Sequence, residues 1–149
     1  MLTINRTTSN NTDFQQLVAQ LDAYLRVMDG DEHSFYAQYN KIDMLQQVVL
    51  CYNDEVAVAC GAFKKYDEES VEIKRMFVVP EFRGKGAAAA VLSELERWAI
   101  ELNYNSTVLE TGKRQVEAVK FYQKSGYSVI PNYGQYIGIE NSVCMQKLL

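Results

Sequence analysis

The chain has 149 residues, a formal net charge of −4 and 48% hydrophobic residues, the make-up of an ordinary globular protein large enough to bury a core. That acidic balance argues against non-specific nucleic-acid binding as the main activity. The opening MLTINRTTSN has no apolar export-signal region, and no run of about eighteen apolar residues offers a membrane span.

Leu2 to Arg6 alternates weakly and reads as a first strand. Asn11 or Thr12 then supplies an N-cap, because a short polar side chain can accept from the open N–H groups of a first helical turn. Phe14, Leu17, Val18, Leu21, Tyr24, Leu25 and Met28 share one helical face, so a helix is expected through about Val27, stopped by Asp29-Gly30-Asp31. The aromatic stretch His33 to Lys41 reads either as a short helix or as a lid, and His33 itself as a surface residue. Gln47 to Tyr52 and Val56 to Phe63 form a hairpin around Asn53-Asp54-Glu55. Cys51, Cys60 and Cys144 are odd in number and lie in strand-like runs, which reads as reduced thiols in a cytoplasmic protein. With one histidine and no close cysteine pair, no metal site is expected.

After a turn at Tyr66 to Glu69 comes the stretch that organises the rest, VEIKRMFVVPEFRGKGAAAAVLSELERW, from Val71 to Trp98. Val71, Ile73, Arg75 and Phe77 alternate with Glu72, Lys74, Met76 and Val78, so a strand is expected with those two sets on opposite faces. Pro80 ends its ladder for want of an N–H. The turn Arg83-Gly84-Lys85-Gly86-Ala87-Ala88 opens directly into a helix with Val91, Leu92, Leu95, Trp98, Ala99 and Leu102 on one face. Open N–H groups at the positive end of a helix dipole, flanked by two cationic side chains, make a site for a phosphate or pyrophosphate. Glycine lets the ligand approach the main chain, and Ala87 to Ala90 are expected to bring the first helical turn close to the sheet. The turn lacks the third glycine of a dinucleotide fingerprint, and it is not a P-loop.

Beyond it, Ser106 to Glu110 reads as a strand parallel to the central one. Gln115 to Ser125 reads as an amphipathic helix with Val116, Ala118, Val119 and Tyr122 inward and Gly126 after its end. Tyr127 to Ile130 is a short strand, a glycine- and tyrosine-rich loop follows, and Val143 to Leu148 is the last strand. The order is βααβββαβαββ, a mixed α/β layer fold, with no internal repeat or linker.

The pattern R-x-x-G-x-G/A after a strand ending V-x-P, together with AVKFYQKSGY further on, resembles the GCN5-related N-acetyltransferase (GNAT) superfamily. The resemblance covers nearly the whole chain and implies a single domain over residues 1–149, with a central mixed sheet of about six or seven strands and about four helices. It implies acetyl-CoA as donor. Its pyrophosphate would rest on Arg83, Lys85 and the N–H groups of Gly84, Lys85, Gly86, Ala87 and Ala88. In this family the two central parallel strands splay after a bulge, and pantetheine runs along the exposed edge. Met76, Phe77 and Val78 match those positions, one of their N–H groups being the oxyanion donor. Gln115 stands where the family usually has an asparagine that contacts pantetheine, so an amide persists there.

Acetyl transfer to an amine needs a base for the amine, a polarised carbonyl and an acid for the departing thiolate. The motif places the family's tyrosine acid at Tyr122, the alternative being a core tyrosine. Glu72 matches a glutamate base of some relatives. Glu110, at the C-terminal edge of a parallel strand, is the alternative and an acidic contact for a cationic amine. Tyr133 and Tyr136 are expected to line the acceptor side, as are the aromatics of His33 to Lys41. The expected activity is direct acetyl transfer to a primary amine of a small molecule, with no metal, nucleic-acid or membrane partner. A non-catalytic acyl-CoA-binding module, a peptide or protein N-acetyltransferase and an RNA- or partner-binding domain using Arg83 and Lys85 are the alternatives. Relatives are often dimers, so a homodimer is among the assemblies the resemblance implies.

Overall fold

A computed structural model describes residues 1–30 and 44–149. The stretch His33 to Lys41, whose aromatics are expected to contact an acceptor, lies outside the described residues. The strands are β1 (Leu2–Thr7), β2 (Gln47–Asn53), β3 (Val56–Lys65), β4 (Ser70–Val78), β5 (Ser106–Gly112), β6 (Ser128–Ile130) and β7 (Ser142–Leu148). The helices among the described residues are α1 (Thr12–Asp29), α2 (Ala87–Glu101) and α3 (Val116–Lys124). One seven-stranded sheet runs in the order β1-β2-β3-β4-β5-β7-β6. Among the described residues only the β4–β5 pair is parallel, and β7 inserts between β5 and the short edge strand β6.

Helix α1 begins at Asn11, whose side chain accepts from the Phe14 N–H at 3.1 Å, a cap worth about 1 kcal/mol. Its apolar stripe of Phe14, Leu17, Val18 and Leu21 packs on Val48, Leu50, Cys60, Ala62 and Phe77. On the opposite face, Val91, Leu92, Leu95 and Ala99 of α2 pack on Val49, Phe63, Val71, Ile73 and Leu109. Val48 to Cys51 of β2 form an unbroken apolar run because alternate residues serve both layers: Val48 and Leu50 face α1, and Val49 and Cys51 face α2.

Strand β4 departs from simple alternation. Ala62 pairs with Lys74 and Cys60 pairs with Phe77, so Gly61 alone stands opposite Arg75 and Met76. This is a β-bulge, and Arg75 adopts φ 60° to make it. Val71 and Ile73 face α2, but Phe77 and the Arg75 side chain face α1, while Met76 packs on the α2 side. The expectation that Val71, Ile73, Arg75 and Phe77 share a face is therefore corrected from Arg75 onward, where Arg75 and Phe77 turn to the α1 side and Met76 to the α2 side. A Cβ on Gly61 would meet Met76 Sδ at 2.4 Å, Val91 Cγ1 at 2.8 Å and Leu95 Cδ1 at 2.9 Å. Glycine there is what lets the bulged strand sit against α2.

The bulge bends β4 away from β5. The two pair only at Ser70–Ser106, Val71–Thr107 and Glu72–Val108. Beyond Glu72, β4 follows β3 to Val78, while β5 follows β7 to Gly112. A hydrogen bond of 2.6 Å between the Ser70 and Ser106 hydroxyls pins the closed end of this V. Two smaller expectations are also corrected. Val116 is 53% exposed, because it sits in the first turn of α3 before the helix meets the sheet. Of the four alanines that open α2, Ala87 alone is buried and Ala89 is exposed, since a helical turn presents one of its sides to the sheet.

Candidate active site

The V between β4 and β5 holds a cavity of about 120 Å³. Lining it are Glu72 and Met76 from β4, Glu110 from β5, Gln115 and Tyr122 at and on α3, and Tyr136 from the loop before β7. Residues far apart in sequence thus converge on one gap, because the splay removes the ladder that would otherwise fill it.

The two faces of the gap differ in chemistry. On the α2 face lie Ile73, Leu109 and the Tyr122 ring, which packs edge-on to Tyr127 with centroids 5.7 Å apart. Tyr122 is 7% exposed, and burial pushes its phenol well above the usual tyrosine range. It therefore stays protonated at neutral pH and can donate. On the α1 face lie the two carboxylates. Glu72 is buried between Val71 and Ile73, which point the other way, and its Oε2 accepts from the Tyr133 hydroxyl at 2.7 Å. Its Oε1 lies 3.9 Å from Lys64 Nζ. Glu110 pairs across β5–β7 with Cys144, which packs with Tyr136.

Tyr133 and Tyr136 meet edge-on at 5.8 Å, and Tyr66 stacks edge-on against Tyr133 at 4.9 Å. Asn132 Nδ2 donates to the Tyr136 and Ile139 carbonyls, both at 3.1 Å, fixing the loop that carries these rings. Burial first, and then the negative charges of Glu72 and Glu110, raise the Tyr136 phenol; burial and Glu72 raise that of Tyr133. Both stay protonated, and Tyr133 donates to Glu72.

At the open end of the V, β4 leads through a 3-10 turn at Pro80–Phe82 into Arg83–Gly86 and α2. Gly84 and Gly86 have φ 77° and 87°, a left-handed conformation that side chains resist. The first helical bond of α2 joins Ala90 N–H to Gly86 O at 3.0 Å, so the N–H groups of Ala87, Ala88 and Ala89 precede the ladder and face outward from the helix start. Lys85 Nζ lies 4.6 Å from the Phe82 ring centroid. Arg83 folds back, its Nε donating to the Val78 carbonyl at 3.2 Å and its guanidinium 5.3 Å from the Tyr24 centroid. Both cations are exposed and within a side-chain swing of the turn.

Three residues of this site escape a reading of the sequence. Gly61 shapes the bulge from a neighbouring strand. Lys74 and Arg75 both line the cavity, yet period-two alternation separates them. A positive φ at Arg75 puts both on the α1 face, a conformation that no local motif announces.

Comparison with known proteins agrees with this fold. The sequence profile of the Acetyltransferase (GNAT) family matches residues 14–127. An IAA acetyltransferase of Azospirillum brasilense is 30% identical over 142 residues, covering 90% of this chain and 89% of that protein. A crystal structure from Klebsiella pneumoniae, assigned to the acyl-CoA N-acyltransferases, superposes with a TM-score of 0.83 at 28% identity, covering 100% of this chain and 98% of that one. A GNAT family acetyltransferase from Elizabethkingia anophelis, solved with acetyl-CoA bound, shares the fold with a TM-score of 0.69 at 18% identity over 99% and 98% of the two chains. The chain belongs to the GNAT family of acetyltransferases, whose chemistry is acyl-CoA-dependent N-acetylation. No helix among the described residues is long and apolar enough to cross a membrane.

Proposed function

We propose that the protein moves an acetyl group from acetyl-CoA directly to the primary amine of a small molecule, in the V between β4 and β5. The observation that carries this reading is the two-faced cavity, with the phenol of Tyr122 on one side and the carboxylates of Glu72 and Glu110 on the other. The diphosphate rests on the N–H groups from Gly84 to Ala88 with Arg83 and Lys85 closing over it. Pantetheine follows the edge of β4 left unpaired beyond Glu72, along Met76, Phe77 and Val78, with Gln115 facing it across the gap. One main-chain N–H of that edge polarises the thioester carbonyl, an interaction worth about 3 kcal/mol in other enzymes.

The amine nitrogen attacks the carbonyl carbon from the α1 face and the C–S bond breaks. Tyr122 gives its proton to the thiolate, while Glu72, through a water, takes the proton from the amine. Glu110 holds the incoming ammonium by charge. Solvent then returns both groups to their starting states. A covalent enzyme intermediate is disfavoured because all three cysteines are buried, with thiols raised by burial, Cys60 to about 12. Buried thiols outside any disulfide also fit a reducing, cytoplasmic setting. The small cavity and its tyrosine cover support a small acceptor over a peptide.

Mixing the protein with acetyl-CoA, an amine panel and a free-thiol reagent tests the reading. CoA release that depends on an amine is expected. A raised melting temperature with CoA but no release across the panel would instead favour an acyl-CoA-binding module.

A further inference from the structure

We infer that the acceptor is an α-amino acid, held as a zwitterion by carboxylates at its ammonium end and by Lys74 and Arg75 at its carboxylate end. The inference rests on the acetyl-transfer reading above and extends it to the substrate class.

Lys74 lies two residues after Glu72 and so shares its face of β4, and the bulge turns the Arg75 side chain onto that same face. Both line the cavity with Leu21 and Leu25 of α1. Arg75 is only 7% exposed, and its Nη1 donates to Asp22 Oδ1 at 2.8 Å. A guanidinium has five N–H donors, so it can hold Asp22 and a second carboxylate together. Among the described residues Lys74 makes no hydrogen bond or ion pair. Burial drives its ammonium below the ordinary lysine value, against the pull of Glu72.

Lys74 is half-buried, and Arg75 keeps N–H donors beyond the one that holds Asp22, so the two together can take a further anion. The phosphates of the donor cannot be that anion, because the turn that receives them lies beyond Val79, past the open end of the V. An acceptor with only an amine would meet the charge of Glu72 and Glu110 but add a cation beside Lys74 and Arg75. One with a carboxylate next to its amine answers both pairs at once, within a cavity of about 120 Å³.

The test is calorimetric titration of the CoA-saturated protein with the standard protein amino acids and with the matching α-carboxamides. At least one acid should bind, and its amide should bind roughly tenfold or more weakly, the size of a charge-assisted hydrogen bond. Lys74→Met should narrow that acid-to-amide ratio about tenfold. Lys74→Gln is the second variant, and unchanged CoA affinity is the check that either one is folded. Equal binding of acid and amide, no bound amino acid at all, or a ratio untouched by both variants would overturn the inference. An acid that binds with the expected ratio, but releases no CoA from acetyl-CoA, would leave this recognition standing and refute the transferase reading instead.

Discussion

Replacing Gly61 by alanine probes the bulge that opens the site. Gly61 has no positive φ, so the penalty is steric alone. The new Cβ would stand 2.4 Å from Met76 Sδ, where an unstrained contact needs about 3.5–4.0 Å. More than about 1 Å must be cleared, and Val91 and Leu95 at 2.8 and 2.9 Å close the other directions. Over-packing of this kind costs about 1–3 kcal/mol, which for a chain of this size lowers the melting temperature by roughly 3–9 °C. Since Met76 lies on the edge assigned to pantetheine, kcat/KM for acetyl-CoA should fall too. Thermal unfolding and steady-state kinetics on one preparation measure both. A melting temperature within about 1 °C of the parent, with unchanged kinetics, would show that glycine is not what shapes this edge.

Tyr122→Phe should lower kcat by about 10²–10⁴, the range for a lost general acid, with CoA affinity by calorimetry nearly unchanged; full activity would end the acid assignment. Arg83→Glu with Lys85→Glu should abolish CoA binding in the same titration while leaving the melting temperature of the free protein close to the parent's. Stability should fall as the pH rises above 10. Tyr122, Tyr127, Tyr133 and Tyr136 all have folded values above the ordinary 10.0. The unfolded chain therefore releases those protons first, and stability present below that pH is lost above it. Of the ten tyrosines, these four should add their tyrosinate absorbance only with the loss of circular dichroism, and absorbance equal to all ten before unfolding would contradict the burial of these rings.

The parts of the fold legible in the sequence are those set by local periodicity. The apolar stripe from Phe14 to Leu21 and the Asn11 cap predict α1, and the observed helix Thr12–Asp29 runs two residues past the expected end. Val71 to Trp98 reads as strand, glycine turn and helix, and is so built. The bulge is not legible, because its cause lies in Gly61, a residue of another strand whose register with β4 only the folded sheet decides. For the same reason Lys74 and Arg75 look like members of opposite faces. Val116 looks inward on a helical wheel, but α3 meets the sheet only a turn later, near Ala118 and Tyr122. Glu72, Tyr122 and Tyr133 are each identifiable by motif or composition. Their convergence depends on where β4 parts from β5, and the Tyr133–Glu72 hydrogen bond has no sequence signal.

The most direct test of the site is a residue-resolved amide titration by nuclear magnetic resonance, adding CoA to saturation. The largest shifts should fall on Met76, Phe77 and Val78 and on the N–H groups from Gly84 to Ala89. Shifts concentrated elsewhere, with those amides unmoved at saturation, would contradict a donor seated in the V between β4 and β5.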